Sequence, residues 1–185
     1  GTWYFSLRTV DRAGNWTATR SLGPILVDRN APVTTSNAPV PWQNANVLVS
    51  LTATDAGQIT STTYKLNSGA NTTYSAPFSI TTEGTTTLQF WSQDAAGNRE
   101  STKTATVRID KTAPTVPTTV TASALSTTSA QVTWPASTDA LSGVVRYDIY
   151  RNSVLVGTST TTTFTETGLT PGATYLYSVR AADAA

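Results

Sequence analysis

The chain has 185 residues, with 12 basic against 11 acidic side chains, and only 12% of it is charged, about half the usual quarter. It contains no Cys, His or Met, which excludes disulfides, thiolate and imidazole chemistry and His/Cys metal centres. A net charge of +1 without a Lys/Arg cluster argues against nucleic acid, and no apolar run reaches the roughly eighteen residues of a spanning helix, so no membrane insertion is expected.

Short alternating runs separated by Gly, Pro, Asn and Asp recur along the chain without helical periodicity, which predicts an all-β protein. Gly1 to Asn15 reads GTWYFSLRTVDRAGN and aligns without a gap, 83 positions on, with Gly84 to Asn98, GTTTLQFWSQDAAGN. The tags Val27-Asp28-Arg29-Asn30-Ala31-Pro32 and Ile109-Asp110-Lys111-Thr112-Ala113-Pro114 recur 82 positions apart. A period of this size corresponds to one β-sandwich per repeat. Residues 1–30 are accordingly expected to be the C-terminal hairpin of a truncated module. Phe5, Leu7, Ile25 and Val27 should face inward there, because they align with Leu88, Phe90, Val107 and Ile109. Any export signal would lie upstream.

Residues 31–113 read as one complete module. Val47, Val49, Leu51 and Ala53 alternate with Leu48, Ser50 and Thr52 and predict a core-facing strand that ends at Asp55-Ala56-Gly57. Leu88 and Phe90 alternate with Gln89 and Trp91 before the turn Asp94-Ala95-Ala96-Gly97-Asn98, and Val107 and Ile109 return to close the hairpin. In residues 114–185 the last run, Tyr175, Tyr177 and Val179, has no successor, so this module is expected to lack its final strand and expose an edge.

The middle segment resembles bacterial Ig-like modules of surface proteins and of secreted polysaccharide-degrading enzymes, on Thr63-Tyr64-Lys65-Leu66-Asn67-Ser68-Gly69, Tyr74-Ser75-Ala76-Pro77-Phe78-Ser79-Ile80, Glu83-Gly84-Thr85, Asp94-Ala95-Ala96-Gly97-Asn98 and Ile109-Asp110-Lys111-Thr112-Ala113-Pro114. From Ala113 onward the chain resembles a fibronectin type III domain. The residues that carry this are Val132-Thr133-Trp134-Pro135, Val145-Arg146-Tyr147-Asp148-Ile149-Tyr150-Arg151-Asn152 and Leu169-Thr170-Pro171-Gly172-Ala173-Thr174-Tyr175. The resemblance implies that Trp134 is a buried core residue and that Tyr175 is a tyrosine-corner residue whose hydroxyl ties the chain back on itself. The wording ASTDALSGVVRYDIYRN is similar to that of bacterial extracellular glycoside hydrolases. The expected architecture is therefore a set of tandem Ig-like and fibronectin type III β-sandwiches, with the first and last modules incomplete.

The candidate chemistry is sparse. A glycosidase needs two carboxylates on either side of its bond, but most of the acidic residues here sit at repeated turns, where Asp11 and Asp94 have backbone groups to accept from. No catalytic residue and no cofactor is expected. Asp28 and Asp110 lie at module junctions, where calcium would need six or more oxygens. Each junction offers one carboxylate plus Asp55, Asn30 or backbone carbonyls, so a strand terminus followed by an Ala-Pro linker is the favoured reading and no metal is expected. Trp42, in the loop Val40-Pro41-Trp42-Gln43-Asn44, Trp91, pointing outward from its strand, and Trp16, after the Ala-Gly-Asn turn, are the candidate contacts for glycan or for an adjacent module, with module packing favoured. These readings predict a non-catalytic spacer of a larger extracellular or cell-surface bacterial protein, whose partners are neighbouring modules of its own chain. The alternatives are a filament or adhesin subunit pairing strands with other copies of itself, and an accessory polysaccharide-binding module.

Overall fold

The computed structural model describes residues 2–185; the side chains of Ile25 and Leu26 lie outside the described residues. Every regular element described is a strand. β1 (Thr2–Leu7) and β2 (Arg20–Leu26) form an antiparallel pair with Leu7 opposite Arg20 and Thr2 opposite Leu26. There follow β3 (Val33–Ser36), β4 (Trp42–Gln43), β5 (Val47–Val49), β6 (Leu51–Thr54), β7 (Ile59–Leu66), β8 (Thr72–Thr73), β9 (Phe78–Ile80), β10 (Gly84–Asp94) and β11 (Lys103–Ile109). The last six are β12 (Thr121–Ser126), β13 (Ser129–Thr133), β14 (Arg146–Arg151), β15 (Val154–Ser159), β16 (Thr163–Thr167) and β17 (Tyr177–Ala182). Hydrogen bonding orders them as β1-β2, β4-β11-β10-β7-β8, β3-β6, β5-β9, β12-β13-β16 and β15-β14-β17.

By compactness the chain forms two units interleaved in sequence: Gly1–Asn37 with Val49–Phe78 and Thr87–Ala105, and Ala38–Leu48 with Ser79–Thr86 and Thr106–Ala185. In the first, Val49, Leu51, Leu88 and Phe90 are buried, and β10 lies against β7 with Phe90 opposite Tyr64. In the second, Val107 and Ile109 are buried, and a separate cluster joins Val132 of β13, Trp134 just after it, Tyr147 and Ile149 of β14 and Val179 of β17. The period-2 alternation expected for Leu88, Phe90, Val107 and Ile109 is realised in full, since strand side chains point to opposite faces in turn.

Three expectations are corrected. The run from Val47 to Ala53 is two strands rather than one. Asn37 bonds both backbone groups of Ser50, its Oδ1 accepting the Ser50 N–H at 2.7 Å and its N–H donating to the Ser50 carbonyl at 3.3 Å; there β5 ends and β6, paired with β3, begins. Trp42 lies not in a loop but in β4, parallel to β11 and opposite Arg108, whose guanidinium donates to the Val40 carbonyl at 3.2 Å. Finally, Phe5, Leu7 and Val27 are 59%, 57% and 43% exposed, and Ile25 falls outside the described side chains. The β1-β2 sheet has two strands, and alternation selects a face without removing it from water; only a second packed layer does that.

Candidate functional site

Both junction aspartates stand in groups of three. Asp110, 1% exposed at the end of β11, accepts the Thr112 N–H on Oδ1 at 3.1 Å and the Ser142 N–H on Oδ2 at 2.9 Å. Asp139 accepts the N–H groups of Leu141 and Gly143 at 3.1 and 2.7 Å, and Asp183 that of Ala185 at 3.1 Å. Carboxylate oxygens of Asp110, Asp139 and Asp183 lie within 4.8 Å of one another, as do those of Asp28, Asp55 and Asp94. Asp28 accepts from Asn30 N–H at 3.0 Å and Asp55 from Gly57 N–H at 3.2 Å. A Cβ at Gly57 would stand 2.6 Å from Asp28 Oδ2, so the carboxylate approaches the chain as closely as only glycine permits.

Burial pushes the Asp110 carboxyl up, but the hydrogen bonds from Ser142 and Thr112 outweigh it and hold it below the usual carboxylate range. Asp94 behaves alike: burial raises it, while the side chain and backbone of Asn98 bring it down further. Asp28 and Asp110 were legible from the tags, and Asp55 was named with them as a further oxygen donor. Asp94 was read as a turn residue alone, and Asp139 and Asp183 were missed. Their signal is a repeated pattern, Asp-Ala-Ala at Asp94 and Asp183 and an Asp-Ala turn closed by glycine at Asp55 and Asp139. The carboxylates provide three of the six or more oxygens that calcium takes. Three carboxylates converge in each group, and the bonds they accept come from backbone N–H groups and, for Asp94, also from the Asn98 side-chain amide.

Two of the three candidate aromatic contacts, Trp16 and Trp91, carry arginines. Arg8 lies 4.3 Å from the ring centre of Trp16, and Arg99 lies 4.5 Å from that of Trp91. Arg8 and Trp91 occupy equivalent positions of the repeat, 83 apart, as do Trp16 and Arg99. The same cross-strand cation–π pair is therefore built twice with its members exchanged, bridging the isolated pairs Val10 with Trp16 and Gln93 with Arg99. Exchange without loss of contact is what a brace across a hairpin needs.

In residues 114–185, Trp134 is buried with Tyr147 edge-on at 5.3 Å, and the Tyr147 hydroxyl accepts the Ser137 N–H at 2.9 Å. The Tyr175 hydroxyl accepts the Thr170 N–H at 3.0 Å, the tie of a tyrosine corner, although its ring is only half-buried and carries the Arg151 guanidinium 5.1 Å from its centre. β17 ends its sheet, and two grooves run beside it. One, of about 340 Å³, is lined by Ala122, Ala124, Leu169, Tyr175 and Tyr177; the other, of about 450 Å³, by Pro114, Val116, Val179 and Ala181.

Each of the three glutamates is taken up structurally. Glu83 accepts the Lys111 N–H at 2.6 Å. Glu166 accepts from Arg151 and from the Tyr177 hydroxyl, both at 2.6 Å, and burial followed by that carboxylate pushes Tyr177 to about 12. Glu100, unremarked in the sequence, is buried and gathers donors from Thr34, Ser92 and Lys103.

Paired sheets with recurring hairpins and aspartate-braced junctions define an array of tandem β-sandwich modules. Within it, the fibronectin type III domain profile matches residues 114–185. The chain is 36% identical over 172 residues to Chitinase A1 of Niallia circulans, a match covering 86% of this chain and 24% of that protein. Exoglucanase B of Cellulomonas fimi is 54% identical over 76 residues, covering 41% of the chain and 7% of the enzyme. Chitinase Chi52 of Paenibacillus xylanexedens is 47% identical over 76 residues, covering 41% and 14%. The chain thus spans less than a quarter of the length of these relatives. A crystal structure of titin domains superposes with a TM-score of 0.55 at 18% identity, covering 98% of this chain and 69% of that one, a likeness of fold alone.

Proposed function

We propose that this chain is a non-catalytic structural segment of a larger exported bacterial polysaccharide-degrading protein, which spaces and orients its other domains. The observation that carries this reading is Asp110. Its buried carboxylate holds the Thr112 amide of the linker and the Ser142 amide of the following module, and the Thr115 N–H donates to the Thr138 carbonyl at 2.9 Å, so the junction is hydrogen-bonded and Pro-stiffened rather than a Gly/Ser tether. Similarity to Chitinase A1 along most of the chain supports a place beside glycan-degrading domains, and with it an extracellular location.

The test is ¹⁵N relaxation of the whole chain and of Asp110→Ala. Residues 31–113 and 114–185 should tumble with one correlation time in the parent and separate in the variant; independent tumbling in the parent would sink the spacer reading.

A second reading, assembly of copies by strand pairing, draws on the terminal position of β17 in its sheet and the grooves beside it. Light scattering over a concentration series separates the two: growth in mass favours assembly, a constant monomer the spacer. The polysaccharide-binding alternative would need free aromatic faces, and the arginines on Trp16 and Trp91 weigh against it.

A further inference from the structure

Among the described pairings strand β3 is laddered to β6, and a buried polar clasp on Thr34 also holds it. The Thr34 N–H donates to Glu100 Oε2 at 3.1 Å, its hydroxyl donates to Glu100 Oε1, and its carbonyl accepts from Lys103 Nζ at 2.6 Å. Both backbone groups of one residue are therefore taken by side chains that follow the turn between β10 and β11, Glu100 in the connection and Lys103 at the start of β11. Glu100 also accepts the Ser92 N–H at 2.8 Å and pairs with Lys103 at 3.1 Å, and Ser92 Oγ links Thr34 to Thr62 of β7. The groups facing Glu100 are thus the neutral Thr34 of β3 and Ser92 of β10, Thr62 of β7 through Ser92, and Lys103 of β11 as the charged partner. A carboxylate with this many donors is tightly held while ionised, and a buried network of this kind is costly when one member stops accepting.

The first hairpin supplies an internal control. Thr17 stands where Glu100 does in the repeat, and its hydroxyl accepts the Thr9 N–H at 3.0 Å, as Glu100 accepts that of Ser92. A threonine thus suffices for the bond within the hairpin. The longer glutamate adds reach to a strand outside it, and that reach serves β3 alone.

We propose that Glu100 and Lys103 form a proton-releasable latch on strand β3, so that β3 and the linker leading into it undock as a local unit while the rest of the sandwich stays folded. The inference is independent of the spacer reading. Burial pushes the Glu100 carboxyl up, but the donors from Thr34, Lys103 and Ser92 outweigh it, and the group lies below its ordinary range. With the folded value depressed, the latch is fully closed above the unfolded value near ~4.3 and opens as pH falls through the folded value.

Amide hydrogen exchange by NMR, corrected for intrinsic rates, tests this on the full chain between about pH 6 and pH 2.5, across the ordinary glutamate range. In the parent, Thr34 and the β3–β6 ladder should lose protection tenfold or more, while Leu88, Phe90 and Val107 keep theirs. In Glu100→Gln the ladder should already be weakened tenfold at about pH 6 and should no longer respond to acid below the glutamate range. Loss of protection in β3 and core together, or no loss in either, would overturn the latch. Should Glu100→Gln fail to fold, the parent's pH series and Lys103→Met, which keeps the carboxylate, decide by the same readout.

Discussion

Residues 2–26 and 84–109 are the same hairpin built twice, and they differ in what covers them. Thr2–Leu7 of β1 falls 83 positions before Thr85–Phe90 within β10, and Arg20–Leu26 of β2 falls 83 before Lys103–Ile109 of β11. Their turns make matching bonds: Asp11 N–H to the Asn15 carbonyl at 3.0 Å and Asp94 N–H to that of Asn98 at 3.1 Å, with Asn15 and Asn98 amides donating back to the aspartates at 3.0 and 2.8 Å. Yet Leu88 and Phe90 are 0% and 5% exposed, whereas their counterparts Phe5 and Leu7 lie open. Turn geometry and cross-strand braces are thus local properties that survive without a core. Burial belongs to the neighbouring layer.

The largest contrast should come from truncating matched positions. Leu88→Ala should destabilise the middle module by about 2–5 kcal/mol, through lost transfer energy and the cavity left behind. Phe5→Ala at the equivalent site should stay within about 0.5 kcal/mol, because that side chain is already in water. Urea unfolding followed by tryptophan fluorescence measures both, and equal effects would break the comparison.

A smaller difference is expected at the turns. The Asn15 side chain and backbone hold Asp11 below the usual range, and the Asn98 bonds do the same for Asp94 against its burial. Depressed folded values mean that each contribution is present above the unfolded value near ~3.9 and lost as pH falls through the folded one. Asp94→Ala should therefore lower the melting temperature of the middle module at neutral pH and converge with the parent in acid. Asp11→Ala should leave that transition unmoved and alter only amides 9 to 17.

The finest test exchanges the brace. Arg99→Ala should cost about 0.5–1 kcal/mol, the range of an exposed cation–π pair. The double exchange Trp91→Arg with Arg99→Trp should recover most of it, since the first hairpin carries that orientation already. Double-mutant analysis of thermal melts reads the coupling, and no recovery would mean that the exchanged pairs are not equivalent.

The legible parts of this molecule were those written in short range. Val49, Leu88, Phe90, Val107 and Ile109 announced their faces by alternation, and Asp11 and Asp94 their turns by Asp-x-Ala-Gly-Asn, while the corner at Tyr175 came from the fibronectin type III resemblance. What escaped depends on partners distant in sequence. Glu100 meets Thr34 66 residues away, and Asp110 meets Ser142 32 residues away; neither separation leaves a periodic trace. Trp42 read as loop because a two-residue strand is too short to alternate.

By itself, then, the sequence determined an all-β chain with a module-length repeat, its hairpins, their turn chemistry and the buried side of β5, β10 and β11, because side-chain alternation and turn propensity act over a few residues. Only the tertiary structure decided which inward sides are covered, which aspartates converge at the junctions and which carboxylate clasps β3. Those outcomes follow from layers meeting in space, where burial and long-range hydrogen bonds are set by neighbours that local pattern does not encode.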